Sequence, residues 1–416
     1  MNEIRINGER LWSRLMEMAT HGALPGGGCN RQALTDEDRA GRELFMQWCR
    51  DIGCEIRMDA VGNIFARRAG SDATMPPVIT GSHLDTQPSG GKFDGVYGVL
   101  AGLEVLHTLH ENDVTTLHPL EVVVWTNEEG CRFDTAMMGS AVWSGKMPLD
   151  QAYALTDREG RSVREELERI GHLGSADTEP VHAALELHIE QGPVLEAEGK
   201  TIGIVTGVQH MSRHRIVIHG QEAHAGPTPM EMRRDPVMAL SRILPELYAL
   251  AAQHGPDGRV TFGFLEALPG SSNTVPGRLE LTVDIRHPLE DYYREMLSGY
   301  QRIVEGACSA LQLDFEMQCF WEAPGVEFDT GCIAAVREAT LQCKLSGREM
   351  VSGAGHDACN VSTVAPTSMI FIPCEGGLSH NEAENTLPQQ AAAGANVLLG
   401  AMLQLAAQDG GRVISK

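Results

Sequence analysis

Three histidines and four carboxylates, His83, Asp85, Asp94, Glu128, Glu129, His188 and His380, are of the types that bind divalent cations and move protons. Asp94 lies in GGKFDG, where glycines on both sides allow a sharp turn and close backbone approach, so its carboxylate can point inward from a loop. A carboxylate has two ligating oxygens and can bridge two cations, which a neutral imidazole cannot. Asp85, two residues past His83, is placed to accept the other imidazole proton and fix its tautomer. The adjacent Glu128 and Glu129 repel one another unless a cation or a proton neutralises the pair. The economical division gives Glu129 to a metal and leaves Glu128 to take a proton from bound water. His83, Asp94 and His188 then surround one ion and Asp94, Glu129 and His380 the other, with room for a shared hydroxide. Each residue also has an ordinary reading: a surface histidine, a solvated pair of glutamates, an Asx turn at Asp94. The joint pattern outweighs these because all five proposed ligands fall at strand ends or in the loops after them.

The elements that must position them follow from periodicity. Residues 36–53 read as a helix, with Ala40, Leu44, Phe45 and Trp48 at helical spacing and Gly53 as a stop. A short strand at 62–66, another at 78–80 and a helix from Gly95 come next. Residues 120–126 are apolar except for Glu121 and Thr126, as in a strand buried on both faces of a parallel sheet. Strand, helix and strand with short joins predict an α/β fold with a mostly parallel sheet. His83 and Asp85 follow one strand, Glu128 and Glu129 another, and His188 ends the 183–187 run. Open sheets bind ligands at the carboxyl ends of their strands.

Beyond residue 210 the pattern changes. Strands at 215–219, 260–265, 278–286 and 313–320 enclose two helices, one capped by Asp235-Pro236 and one spanning 289–310. In 278–286, Leu279, Leu281, Val283 and Ile285 alternate with polar residues, predicting one core side and one wet side. Residues 211–325 therefore read as an inserted α+β domain within a catalytic domain made of 1–210 and 326–416. The first pattern resumes with a helix near 332–341, a glycine-rich turn at 352–357, a buried strand at 368–372, His380, and an alanine-rich helix over 387–408.

The chain is long enough for two or three domains at 416 residues. No apolar run is long enough to span a bilayer, and MNEIRINGERLWSRL carries charge where a secretory signal needs apolar residues, so a cytoplasmic location is expected. A formal charge of -23 repels phosphate backbones, which speaks against nucleic acid as a partner. Ten cysteines without a CxxC pair resemble neither a disulfide framework nor a zinc ribbon. Cys49, Cys54, Cys308 and Cys343 read as buried small hydrophobes, and Cys131 and Cys359, close to the motifs, as packing residues rather than nucleophiles.

The segments GSHLDT (81–86), GGKFDGVYGVLAGLEVL (90–106), TNEEGCRF (126–133), ELHIEQGPVLE (186–196), HAGPTPM (224–230), NTVPG (273–277), DIRH (284–287), SGAGHDA (352–358) and SHNEAE (379–384) resemble the M20/M28-type metallohydrolases. Within them the chain is similar to the amidase, hydantoinase and carbamoylase branch, over nearly its whole length. That branch holds N-carbamoyl-L-amino-acid hydrolases, allantoate amidohydrolases and β-ureidopropionases of the bacterial and fungal type. The resemblance implies a di-metal catalytic domain interrupted by a lid that also makes a homodimer. It implies His83, Asp94, Glu129, His188 and His380 as ligands with Asp94 bridging, and Glu128 as general base. His224 in the lid is expected to reach the partner's site and stabilise the oxyanion. Gln191, Asn273, Arg286 and the Gly353-Ala354-Gly355 backbone are expected to position substrate.

Arg286 also stands out without the resemblance: it lies on the polar side of an alternating strand, and a guanidinium fork suits a carboxylate, though a surface ion pair would look the same. The expected substrate is a small anionic ureido compound, an N-carbamoyl-L-amino acid cleaved to amino acid, ammonia and carbon dioxide. Allantoate and β-ureidopropionate are the alternatives, with a dipeptidase or aminoacylase activity further off. Relatives commonly carry a basic-tryptophan or glutamine-arginine pair where this chain has Met211, Ser212 and Arg213, so substrate choice stays open there. Histidine and carboxylate ligands suit zinc, manganese, cobalt or nickel.

Overall fold

The computed structural model describes residues 4–407. The chain divides into two compact units, one running up to Gly207 and resuming at Glu327, the other Val208–Val326.

The first unit is built on a nine-stranded sheet. Its centre is four parallel strands, in the order Leu120–Trp125, Val78–His83, Ala183–Ile189 and Thr367–Ile372. Every residue of these four is buried, which fits the mostly apolar stretches in Leu120–Trp125 and Thr367–Ile372. Antiparallel strands flank them: Ile64–Arg68 and then Glu55–Met58 on one side, Ile202–Val208 on the other. Register carries the site, because His83 pairs with Trp125 and Phe371 with His188. The loops that leave these strands therefore open at one edge.

Helix Val96–Glu111 is buried along most of its length and packs on the central strands. It starts at Gly95, whose φ of +67° is the left-handed region that glycine adopts without strain. A Cβ at this position would also collide with the His83 imidazole. Helix Asp36–Asp51 is capped by the Thr35 hydroxyl, which accepts from Asp38 N–H, and its first turn is acidic. The alanine-rich helix runs Pro388–Leu405, and Gln408, the expected end, lies outside the described residues.

Helix Gly8–Met18 and the short helices Met138–Trp143, Leu149–Ala154 and Val163–Ile170 were not anticipated from periodicity. The helix Val163–Ile170 leads into His172, which is buried and leaves Nδ1 without a partner. Burial, with Arg42 nearby, lowers its imidazole to about 4 from 6.5. The unfolded chain thus binds the proton more tightly, and this contribution is complete above pH 6.5 and lost as pH falls toward 4. We expect it to amount to about 3 kcal/mol over that interval. Replacing His172 with glutamine should flatten the fall in unfolding temperature between pH 7 and pH 4.5. Equal slopes for both proteins would show that another group governs the acid limb.

The second unit runs strand His210–His219, helix Pro236–Gln253, strands Arg259–Leu268 and Arg278–His287, helix Glu290–Ser309, strand Asp314–Ala323. The four strands form an antiparallel sheet in the order Asp314–Ala323, His210–His219, Arg278–His287, Arg259–Leu268. Asp235 caps the first helix by accepting from Val237 N–H. Leu279, Leu281, Val283 and Ile285 pack with Ile243, Leu247, Met296 and Val304 of the two helices. The polar side of that strand is not simply wet. Glu280 is buried with ion pairs to Arg215 and Arg278, and Thr282, Asp284 and Arg286 are half-buried.

Candidate metal centre

Two donor sets meet at Asp94. His83, Asp94 and His188 form one, all buried, and Asp94, Glu129 and His380 the other, with the ligand atoms of each set within 4.8 Å of one another. Asp94 Oδ1 faces His188 Nε2 at 3.1 Å and His83 Nε2 at 3.7 Å. Its Oδ2 faces His380 Nε2 at 3.3 Å, and that nitrogen is also 3.3 Å from Glu129 Oε2. Glu128 is buried, with Oε2 3.4 Å from His83 Nε2. His380 has a φ of +53° and a half-exposed ring, so the loop after strand Thr367–Ile372 turns sharply there.

The tautomers follow from the other ring nitrogens. His83 Nδ1 lies 2.8 Å from the Asp85 carbonyl and His188 Nδ1 2.8 Å from the Ile189 carbonyl. A carbonyl only accepts, so both Nδ1 atoms donate and both Nε2 atoms present a lone pair toward Asp94. This corrects the expectation for Asp85, whose main chain, not its carboxylate, meets His83. The carboxylate instead accepts the main-chain N–H groups of Glu128 at 3.3 Å and Glu129 at 3.2 Å. It joins the loop after one strand to the loop after its neighbour.

Two further acids do similar work; they lie within ELHIEQGPVLE and SHNEAE, but their sequence positions alone assign neither a role. Glu384 Oε1 accepts from both Phe93 and Asp94 N–H at 3.0 Å. Glu190 accepts from Val194 and Leu195 N–H, each at 2.8 Å. A carboxylate that spans two consecutive amides fixes the local chain direction. Gln87 was also missed: its main-chain N–H and side-chain amide hold the two oxygens of Glu129 at 3.2 and 2.7 Å. Behind His188 lies His356, with ring centroids 4.6 Å apart, and Glu186, which accepts from the Ser82 hydroxyl and Ala358 N–H.

Gln191, with φ +56°, donates its amide to Asp94 Oδ2 at 2.9 Å and to Ser379 at 3.2 Å, and its Oε1 is buried without a partner. In the glycine-rich turn, Ala354 N–H donates to the Ser352 hydroxyl, which also meets His356 Nε2. The remaining expected residues belong to the second unit. His224 is exposed and pairs with Thr274 in a short two-stranded ladder, while the Asn273 carbonyl accepts from Ala225 N–H. The Arg286 guanidinium forks onto Asp284, with Nε–Oδ1 2.6 Å and Nη2–Oδ2 2.9 Å. Met211 and Ser212 are buried, and Arg213 stacks over Trp321 at 4.8 Å and pairs with Asp284 at 3.3 Å.

The charges fit cations. Among the described residues, no arginine or lysine pairs with Asp94, Glu128 or Glu129. Burial, and then Asp94, pushes Glu129 up to about 8. Burial, then Asp357 and Glu129, raises Glu128 well above the usual carboxylate range. Burial, with His188 close by, lowers His83 to about 4, so it is a neutral donor. Burial opposes a charge on His188, but the hydrogen bond and charge of Asp94 pull it up to about 9. Gly95 N–H, however, points at the same Nε2 from 3.1 Å and needs a lone pair there. The hydrogen-bond geometry decides for the neutral ring, because a cation between Nε2 and Asp94 would take the place of the proton. The residues present therefore suit two divalent ions. Cys131, whose thiol burial pushes up to about 12, donates to the Thr86 carbonyl and lacks the depressed pKa of a nucleophile.

Residues 79–404 match peptidase family M20/M25/M40. An N-carbamoyl-L-amino-acid amidohydrolase of Rhizobium meliloti is 45% identical over 404 residues, 97% of each chain. The allantoate amidohydrolase of Bacillus subtilis (strain 168) is 34% identical, covering 94% of this chain and 95% of its own. The crystal structure of an amidase of the hydantoinase/carbamoylase family from Burkholderia multivorans superposes with a TM-score of 0.95 at 48% identity, over 97% of this chain and 99% of that one. With the mostly parallel sheet, the donor sets at its carboxyl edge and these matches along almost the entire length, the chain belongs to peptidase family M20/M25/M40, in its hydantoinase/carbamoylase branch.

Proposed function

We propose that the protein hydrolyses the carbamoyl C–N bond of N-carbamoyl-L-amino acids, giving the amino acid, ammonia and carbon dioxide. The reading rests above all on the full-length similarity to an N-carbamoyl-L-amino-acid amidohydrolase at 45% identity. The paired donor sets that share Asp94 agree with it. His83, Asp94 and His188 would hold one divalent ion, and Asp94, Glu129 and His380 the other. When bound, such ions polarise a carbonyl and lower the pKa of water. Glu128 takes a proton from the attacking water at Oε2 and returns it to the leaving nitrogen. Gln87, Asp85 and Glu384 keep the loops of Glu129, Glu128 and Asp94 from shifting as charge moves.

The second unit acts as the lid. Its His224 stabilises the developing oxyanion in the partner subunit of a homodimer, and Asn273 and Arg286 position the substrate with Gln191 and the Gly353-Ala354-Gly355 backbone. Exposed Phe264 and Leu265 on the edge strand Arg259–Leu268 support a face that a second copy covers. Asp284 sets the plane of the Arg286 fork, which suits the substrate carboxylate. We assign the enzyme to the cytoplasm; no described helix is long and apolar enough to cross a membrane.

The test is ammonia release from N-carbamoyl-L-amino acids, N-carbamoyl-β-alanine, allantoate and dipeptides, with enzyme reconstituted separately with zinc, manganese, cobalt or nickel. Ammonia released fastest from N-carbamoyl-L-amino acids is expected. Preference for allantoate would move the enzyme to the neighbouring activity, and amine release from dipeptides without any ammonia would overturn the carbamoyl reading.

A further inference from the structure

Arg42 lies inside helix Asp36–Asp51 with no exposed surface. Its Nε donates to Asp38 Oδ2 at 2.8 Å, Nη1 to the Gly62 carbonyl at 2.8 Å and Nη2 to the Thr126 hydroxyl at 3.3 Å. Asp38 is equally buried and its Oδ2 also accepts from Leu34 N–H at 2.7 Å, at a residue whose φ is +59°. Taking such a pair out of water is costly, and apolar side chains of similar volume often serve stability as well or better. Its presence is therefore better explained by what it holds in place.

What it holds is the exit of a strand. Thr126 is the first residue after strand Leu120–Trp125 and stands two before Glu128. Its main chain is pinned on both sides, the N–H to Asn63 Oδ1 at 2.9 Å and the carbonyl by Gly139 N–H at 2.8 Å. Two and three residues on, Asp85 grips the Glu128 and Glu129 amides. Asn127 lies between the two grips with a φ of +54°, and its side chain is tied to the Phe133 and Thr135 carbonyls. The path from Thr126 to both glutamates therefore runs through one left-handed residue held by its own side chain. At the end of this stretch Glu128 Oε2 lies 3.4 Å from His83 Nε2.

We propose that Arg42, oriented by Asp38, is a positioning residue that aims the Glu128–Glu129 dipeptide through the Thr126 hydroxyl. The proposal rests on the roles given above to Glu128 and Glu129. It does not depend on which amide the enzyme cleaves.

Thr126→Val removes the acceptor at nearly constant volume and leaves Arg42 its bonds to Asp38 and Gly62. Steady-state kinetics are to be run on the best substrate of the native enzyme. The visible spectrum of the cobalt-loaded proteins then reads ligand geometry without turnover. Thr126→Val is expected to lower kcat tenfold or more with KM within twofold, and to shift the cobalt bands. Thr126→Ser, which restores the hydroxyl, should return both to near native. Native kcat and native bands in Thr126→Val would overturn the proposal. So would equal losses in the valine and serine variants with a matching fall in unfolding temperature, since that marks a packing role. A native enzyme that turns over only dipeptides would sink the carbamoyl reading and leave this comparison standing.

Discussion

Replacing Glu128 with glutamine is expected to lower kcat by about three orders of magnitude while both cations stay bound. The carboxylate is buried beside His83, and the neighbouring acids Asp357 and Glu129 add to burial in raising its affinity for a proton. That suits a group that must take a proton from water and hold it until the leaving nitrogen needs it. Glutamine keeps the shape and the main-chain N–H bond to Asp85, so the loop should stay where it is. The amide cannot take up the proton. The check is turnover alongside metal content per subunit, measured on the same preparation. If metal and turnover disappear together, Glu128 is a ligand and the base must be sought elsewhere.

The second large effect is expected from Asp94→Asn. Asp94 gives one oxygen to His83 and His188 and the other to His380, Gln191 and Ser379. Asparagine keeps one acceptor and turns the other into a donor, so it can complete at most one donor set. Metal content should fall from two ions per subunit to one or none, and turnover by about a thousandfold, in line with several kcal/mol of lost charge stabilisation. Thermal unfolding separates this from a folding defect. Native protein should gain stability with added zinc through mass action, whereas the variant should gain much less and match the native protein in chelator. A variant that still binds two ions would show that Asp94 does not bridge.

The legibility of this chain follows burial. Strands Leu120–Trp125 and Thr367–Ile372 were readable because burial on both faces favours mostly apolar runs, whereas only the 78–80 start of Val78–His83 was read, since Gly81, Ser82 and His83 interrupt it. The five donors were readable because ligand chemistry allows few residue types. Asp85 was placed near the site but assigned the wrong partner, since sequence does not distinguish a carboxylate from the carbonyl of the same residue. The roles of Glu384, Glu190 and Gln87 were not legible, because the two acids bind main-chain amides that every residue carries and Gln87 reaches Glu129 from another loop. Helix Gly8–Met18 did have a signal in Leu11, Leu15 and Met18, all buried at helical spacing. Glu280 reads as a wet residue by alternation and is buried because Arg215 and Arg278 neutralise it on neighbouring positions.

The order in which the chain delivers its donors has a consequence during synthesis. His380 follows His188 by 192 residues, and strand Thr367–Ile372, which lies between Ala183–Ile189 and Ile202–Val208, also comes late. At ribosomal speeds that interval lasts roughly 10 to 40 s. The nascent protein therefore carries His83, Asp94, Glu128 and Glu129 before the strand that flanks His188 or the last imidazole exists. Three acids and a histidine have to wait for partners in an unfinished sheet, and hydrolytic competence becomes a property that only the returning tail can confer.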